Sequence, residues 1–312
     1  MFFEGSEKKA EVIVNLEGKS LREIDQDFWS KLVAKCEATI LSKISNEKCD
    51  AYLLSESSLF VFDDRFTILT CGQTILINSI LYFLENHDRD SIAQIIFQRK
   101  NEYFSHLQKT HFLDDVKKIQ EFFEGSSLRF GHMDAHHNYL FHLDKEYKPQ
   151  SDDKTYELLV YHIASDVSKN LTSGKLNATE IRELLKLDQI IPGFEIDDFV
   201  FQPFGYSLNA INKDGEYLTI HVTPQEESSY VSFESSINLV EKAPIILETL
   251  RPHAFDLMTF NPQGYENSFE SIPAIYQNQT LVRESISCGY NVEFAHFSKN
   301  EREVFAAYKM EI

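Results

Sequence analysis

Tyr52-Leu53-Leu54-Ser55-Glu56-Ser57-Ser58-Leu59-Phe60-Val61 is the stretch on which the fold turns. Its apolar flanks suit buried β-strand, while the small polar residues at its centre call for a tight turn or a strand crossing a sheet edge. Working outward, residues 12–14, 38–44, 66–69 and 91–97 have the same strand-like character. Amphipathic segments lie between them. Ser20 and Glu23 form a capping-box pattern ahead of Leu21, Ile24, Phe28 and Leu32, which share one helical face. Residues 73–84 are apolar almost all round, and Phe112, Val116, Ile119, Phe122 and Phe123 mark a further helix stopped by Gly125. Residues 127–133 and 137–143 pattern as a hairpin, and the polar run 145–154, with Pro149, reads as a linker.

Beyond it the mixture repeats. Residues 156–163 and 179–187 read as helices, the second with Asn177 as cap and Glu180 three residues on. Residues 195–201, 207–211, 217–223 and 230–234 read as strands, with Lys213-Asp214-Gly215 as a hairpin turn. A helix over 239–250 and two or three strand–helix units finish the chain. Tyr52 to Glu56 is echoed by Tyr230 to Glu234, which hints at duplication. Strands in meander order predict an α+β fold of mostly antiparallel sheets, each covered on one face. The halves would be about 1–150 and 151–312, within a single domain.

Composition narrows the partners. Thirty basic against 49 acidic residues give a net charge of −19, which repels phosphate backbones and anionic lipid. Nucleic acid and membranes are therefore not expected partners. The opening residues lack a signal-peptide pattern, and no run is long enough to span a bilayer. Cys36, Cys49, Cys71 and Cys288 have no paired spacing for zinc or redox work, and free thiols fit the cytoplasm. His132, His136, His137 and His142 invite a metal reading, but no carboxylate or cysteine pattern completes a site, so no metal is expected. Ser207 and His221, 14 residues apart across one hairpin, can be neighbours in paired strands. Cys71, between a strand and a helix, is placed where a helix N-terminus would favour thiolate.

Residues 52–61, together with Phe2 to Lys8, Thr70 to Thr74, Phe201 to Ser207 and His221 to Glu234, resemble the eukaryotic-type S-adenosylmethionine decarboxylases. The resemblance implies a four-layer αββα sandwich from two similar halves. It also implies self-cleavage between Glu56 and Ser57 and a covalent pyruvoyl cofactor made from Ser57. A pyruvoyl carbonyl forms a Schiff base with an amine and accepts electrons on decarboxylation. By the same resemblance, His221 takes the Cα proton, Ser207 holds the ester intermediate, and Cys71 is the acid that reprotonates the product carbon. Glu4, Glu7 and Glu11 match acidic positions around the reacting centre. Phe3 and Phe201 match the aromatic pair that sandwiches adenine, and Leu54 joins them as a substrate-binding position.

Three departures stand out. Gln225, followed by Glu226 and Glu227, replaces the ribose-binding glutamate. Leu69 replaces a lysine beside Thr-Cys-Gly, and Ala164 stands near an expected aspartate, so activation by putrescine is not expected. The expected activity is decarboxylation of S-adenosylmethionine for spermidine synthesis, as a homodimer or heterodimer. A catalytically dead regulatory relative, or a pyruvoyl decarboxylase of another amino acid, are the competing readings.

Overall fold

The computed structural model describes residues 3–16, 19–225, 229–261, 269–300 and 307. In the first half, strands β1 Lys8–Val14, β2 Ile40–Ser45, β3 Asp50–Leu54, β4 Ser57–Val61, β5 Arg65–Thr70, β6 Ile92–Lys100, β7 Gly125–Gly131 and β8 His137–Leu143 form one sheet in the order 2-3-4-5-1-6-8-7. Helices α1 Gln26–Lys35, α2 Ile77–Asn86 and α3 Phe112–Gln120 cover its outer face through Trp29, Leu32, Ile80, Phe83 and Val116. The second half supplies β9 Thr155–Tyr161, β10 Glu195–Val200, β11 Tyr206–Ile211, β12 Tyr217–Thr223, β13 Tyr230–Ser235, β14 Ala254–Asn261, β15 Tyr276–Ser285 and β16 Asn291–Lys299, in the order 10-11-12-13-9-14-16-15. On that sheet lie α4 Ser165–Thr172, α5 Ala178–Leu184, α6 Leu187–Ile190 and α7 Leu239–Leu250. The result is the helix–sheet–sheet–helix sandwich expected.

The two strand orders superpose term by term, with β1 matching β9 and β2 to β8 matching β10 to β16. That repeat corrects the sequence echo: β3 corresponds to β11, so Tyr52 to Glu56 and Tyr230 to Glu234 are not equivalent. Of residues 156–163, 156–161 lie in a strand and none in a helix. β9 is buried on both faces, and a continuous apolar run of that kind has no period of its own to declare. The chain's last described part also differs from expectation, being strands with one short 3-10 turn, Phe269–Ser271. The segment after Ser20 breaks into a 3-10 turn and α1, because Asp25 provides a second cap by accepting from the Asp27 N–H.

Side chains alternate across each strand, and here the sheets bury two different kinds of face. Outward residues such as Val12, Ile68, Leu158 and Ile220 pack under helices. Facing the opposite sheet are Lys9, Glu11, Lys100, Glu157, Glu234 and Asp256, with smaller apolar clusters at their flanks. Burying charge is costly unless it is paired, so a polar middle layer points to function rather than to packing alone.

Candidate active site

Ser55 and Glu56 make the turn of the β3–β4 hairpin, and Leu54 pairs with Ser57 across it. Strand alternation would send Ser57 to the helix side with Leu59 and leave Ser58 facing the other sheet. Instead Ser57 has φ 141°, a region that residues with a side chain rarely adopt. Both hydroxyls consequently reach one imidazole. Ser57 Oγ is 2.8 Å and Ser58 Oγ 3.3 Å from His221 Nε2.

His221 sits on β12, directly opposite Ser207 of β11. Ser207 Oγ lies 2.9 Å from His221 Nδ1, and Thr219 Oγ1 lies 2.9 Å from Nε2. If Nδ1–H donates to Ser207, Nε2 is free to accept the Ser57 proton. Burial, opposed by Glu7 and aided by Lys100, lowers the His221 pKa to about 4. The imidazole is thus neutral, a base in waiting, throughout the ordinary pH range. Ser58 donates to Asn209 Oδ1 at 2.6 Å and lies 3.0 Å from Thr219 Oγ1. The sequence assigns no role to Asn209 or Thr219, although each is two strand residues from Ser207 or His221 and hence on the same face.

This produces a pH expectation. A histidine lowered from 6.5 to about 4 binds its proton more readily in the unfolded chain. Its contribution is complete above pH ~6.5 and is lost as pH falls toward 4, on the order of 3 kcal/mol in all. Over the same interval the folded precursor keeps its base. Self-cleavage followed by timed electrophoresis should therefore show no step near pH 6.5, whereas urea stability should fall.

The bond after Glu56 is held from the other side. The Glu56 carbonyl oxygen accepts from the Cys71 N–H at 3.0 Å and from the Cys71 thiol at 3.3 Å. Two donors on one carbonyl polarise it and can stabilise an oxyanion there. Cys71 lies on the turn after β5, with α2 beginning only at Ile77, so no helix N-terminus acts on it. Burial, then Glu56 and Glu7, push its pKa well above the usual thiol value. It is a thiol, not the thiolate that helix placement suggested. Gly72 N–H donates to the Glu4 carbonyl at 2.9 Å, and Lys8 Nζ to the Gly72 carbonyl at 3.0 Å. Glu4 is buried, its pKa raised by desolvation, and its carboxylate accepts from the Phe104 N–H at 2.8 Å.

Glu7 connects this centre to the polar layer. Its oxygens contact Ser232 Oγ at 2.8 Å and Lys100 Nζ at 2.9 Å, and it lies 4.0 Å from His221 Nε2. Lys100 also pairs with Glu157 at 3.5 Å, and Lys9 bridges Glu157 and Glu234 at 3.1 and 3.2 Å. Glu11 faces Arg65, which binds Asp153 at 2.6 Å. Asp153, which just precedes β9, is itself buried. Leu69 carries no charge, but Lys9 is its cross-strand partner.

Phe201 lies in the loop between β10 and β11, and Gln225 follows β12, at the same end of the second sheet. Gln225 Nε2 donates to the Phe3 carbonyl at 2.7 Å. The Phe3 ring passes so close to Gly72 that a Cβ there would meet it at 2.9 Å. The structure thus brings Phe3, Glu4, Glu7, Glu56, Ser57, Cys71, Ser207, His221 and Gln225 into one connected set. Leu54 differs: its side chain packs into the helix-side core, leaving only its backbone toward the turn. Glu226 and Glu227 lie outside the described residues.

A serine with distorted backbone, a neutral base on its hydroxyl and two donors on the preceding carbonyl define a chain equipped to cut itself. The comparisons then name its kin. The profile of the family described as adenosylmethionine decarboxylase matches residues 1–309, and the chain belongs to that family. It is 34% identical over 279 residues to an S-adenosylmethionine decarboxylase proenzyme of Leishmania donovani, covering 83% of this chain and 73% of the relative. A Drosophila melanogaster proenzyme of the same description is 31% identical over 335 residues, with 96% of each chain covered. In fold, the solved Trypanosoma brucei AdoMetDC-delta26 monomer aligns with a TM-score of 0.60 at 22% identity, covering 78% of this chain and 99% of that one.

Proposed function

We propose that this chain cleaves itself between Glu56 and Ser57 and then decarboxylates S-adenosylmethionine with the pyruvoyl group so formed. The observation that carries the reading is Ser57 at φ 141°, 2.8 Å from His221 Nε2, with the Glu56 carbonyl cradled by Cys71. Ser57 Oγ adds to the Glu56 carbonyl carbon, the C–N bond breaks, and an ester replaces the amide. Relief of the strained backbone favours that step. His221 next takes the Cα proton of Ser57, and the Cβ–Oγ bond breaks to release residues 1–56 as a carboxylate. The dehydroalanine left behind hydrolyses to pyruvoyl and ammonia.

The pyruvoyl group, once formed, supplies an electron sink for loss of carbon dioxide. The chain's own residues do the rest. Cys71, kept as a thiol, delivers a proton to the product carbon. Phe3 and Phe201 stack on adenine, and Gln225, whose Nε2 holds Phe3, offers Oε1 to the ribose. Because the backbone N–H of residue 71 survives substitution, Cys71→Ala should still process while losing at least about 10²-fold in decarboxylation. Parent-rate turnover by that variant would show the donor to be misassigned. The activity serves polyamine synthesis. Carbon dioxide release from S-adenosylmethionine, ornithine, arginine and lysine tests the substrate, and preference for a plain basic amino acid would reassign the pocket. A single processed domain working in the cytoplasm, alone or paired with a second chain, is part of the same proposal.

A further inference from the structure

Of the histidines between 132 and 142, His136 finds partners that spacing within the run could not reveal. It stands just ahead of β8 in the first sheet and meets Asp256 of β14 and His296 of β16 in the second. His136 Nδ1 is 3.1 Å from Asp256 Oδ2, and His296 Nδ1 is 2.7 Å from Asp256 Oδ1. The imidazoles stack with centroids 4.3 Å apart and planes at 27°, so both turn the same edge to one carboxylate. One ligand atom from each of the three residues lies within 4.8 Å of the others.

Two further observations point to an ion. The Asp256 side chain is 1% exposed, and its ion-pair partners among the described residues are these two imidazoles. A buried carboxylate without Lys or Arg calls for another source of positive charge. Beside it the buried Tyr161 hydroxyl is directed toward Asp256, and the Tyr161 ring packs edge-on against His136 at 4.3 Å. The side chains of His136 and His296 are 22% and 11% exposed, which leaves an entry from solvent.

We propose that His136, Asp256 and His296 bind a first-row divalent transition metal, clasping the two sheets together. Two imidazoles and one carboxylate form a borderline nitrogen–oxygen set suited to Zn²⁺ and its neighbours rather than to Mg²⁺ or Ca²⁺. Three protein ligands leave a coordination position for water near the Tyr161 hydroxyl. The site shares a cross-strand row with the processing centre, running His221, Ser232, Leu159, Asp256, His296. Three strand spacings, ~14 Å, separate Asp256 from His221. The metal therefore acts on how the halves are held and not on the reacting atoms.

The test uses full-length protein stripped with a chelator, desalted, and loaded with Zn²⁺ or Co²⁺. One metal per chain should remain after a second desalting, with a rise in melting temperature and visible Co²⁺ bands of imidazole coordination. Asp256→Asn and His136→Gln should weaken Zn²⁺ binding by more than the ~10–100-fold that even an outer-shell partner commands. His132→Gln, an exposed neighbour, should bind as the parent does. His136 lies in a partly exposed turn, so its variant keeps the test readable if Asp256→Asn misfolds. A parent chain that retains no metal, or equal binding by His136→Gln, would overturn the site and leave a histidine–aspartate hydrogen-bond set.

Discussion

Ser57→Ala is expected to leave one uncleaved 312-residue chain with no decarboxylase activity. The loss should be complete, because the substitution removes both the nucleophile and the only source of the pyruvoyl group. Ser58 cannot stand in. Its hydroxyl is 3.3 Å from the imidazole but donates to Asn209 at 2.6 Å, and its own target would be the Ser57 carbonyl. The donors from Cys71 point at the Glu56 carbonyl, one residue away. Alanine at φ 141° retains the backbone strain, ~1–3 kcal/mol, so the fold should survive with little change in circular dichroism. Cleavage shifted to the next bond would contradict the arrangement.

His221→Ala should give the second-largest effect, a chain stalled at the ester. During the acyl shift the Ser57 hydroxyl proton ends on the departing amide nitrogen, and Ser58 and Thr219 remain nearby to relay it. The Cα proton has no such relay and needs a strong, positioned base. Glu7 is the nearest carboxylate among the described residues, 4.0 Å from the lost nitrogen and already tied to Ser232 and Lys100. General-base loss of this kind costs ~10²–10⁴ in rate. The stalled protein should migrate whole, then split on treatment with hydroxylamine, which cleaves esters and spares amides. Cleavage at the parent rate, or indifference to hydroxylamine, would remove His221 from the elimination step.

The Ser207–His221 pairing was legible because one hairpin length determines it, whereas at 52–61 the sequence left a tight turn and a strand crossing a sheet edge both open, and the structure has the turn, at Ser55 and Glu56. Ser57's φ was not legible, since nothing in a Ser-Glu-Ser-Ser run announces which serine will break the alternation. The strand at 155–161 was misread because Tyr156 to Tyr161 is buried on both faces, where helix and strand leave the same apolar run. Cys71 was read as facing a helix start that lies farther along the chain. The metal candidate escaped for a different reason. His136 and Asp256 are 120 residues apart and belong to different sheets, so only the docking of the halves unites them.

Intact mass of the purified protein is the most direct measurement of the central claim. Under denaturing conditions the account predicts two species, residues 1–56 ending in a free carboxylate and residues 57–312 starting with pyruvoyl in place of serine. The larger should give no amino-terminal sequence. A fully active chain that remains whole at 312 residues would contradict it.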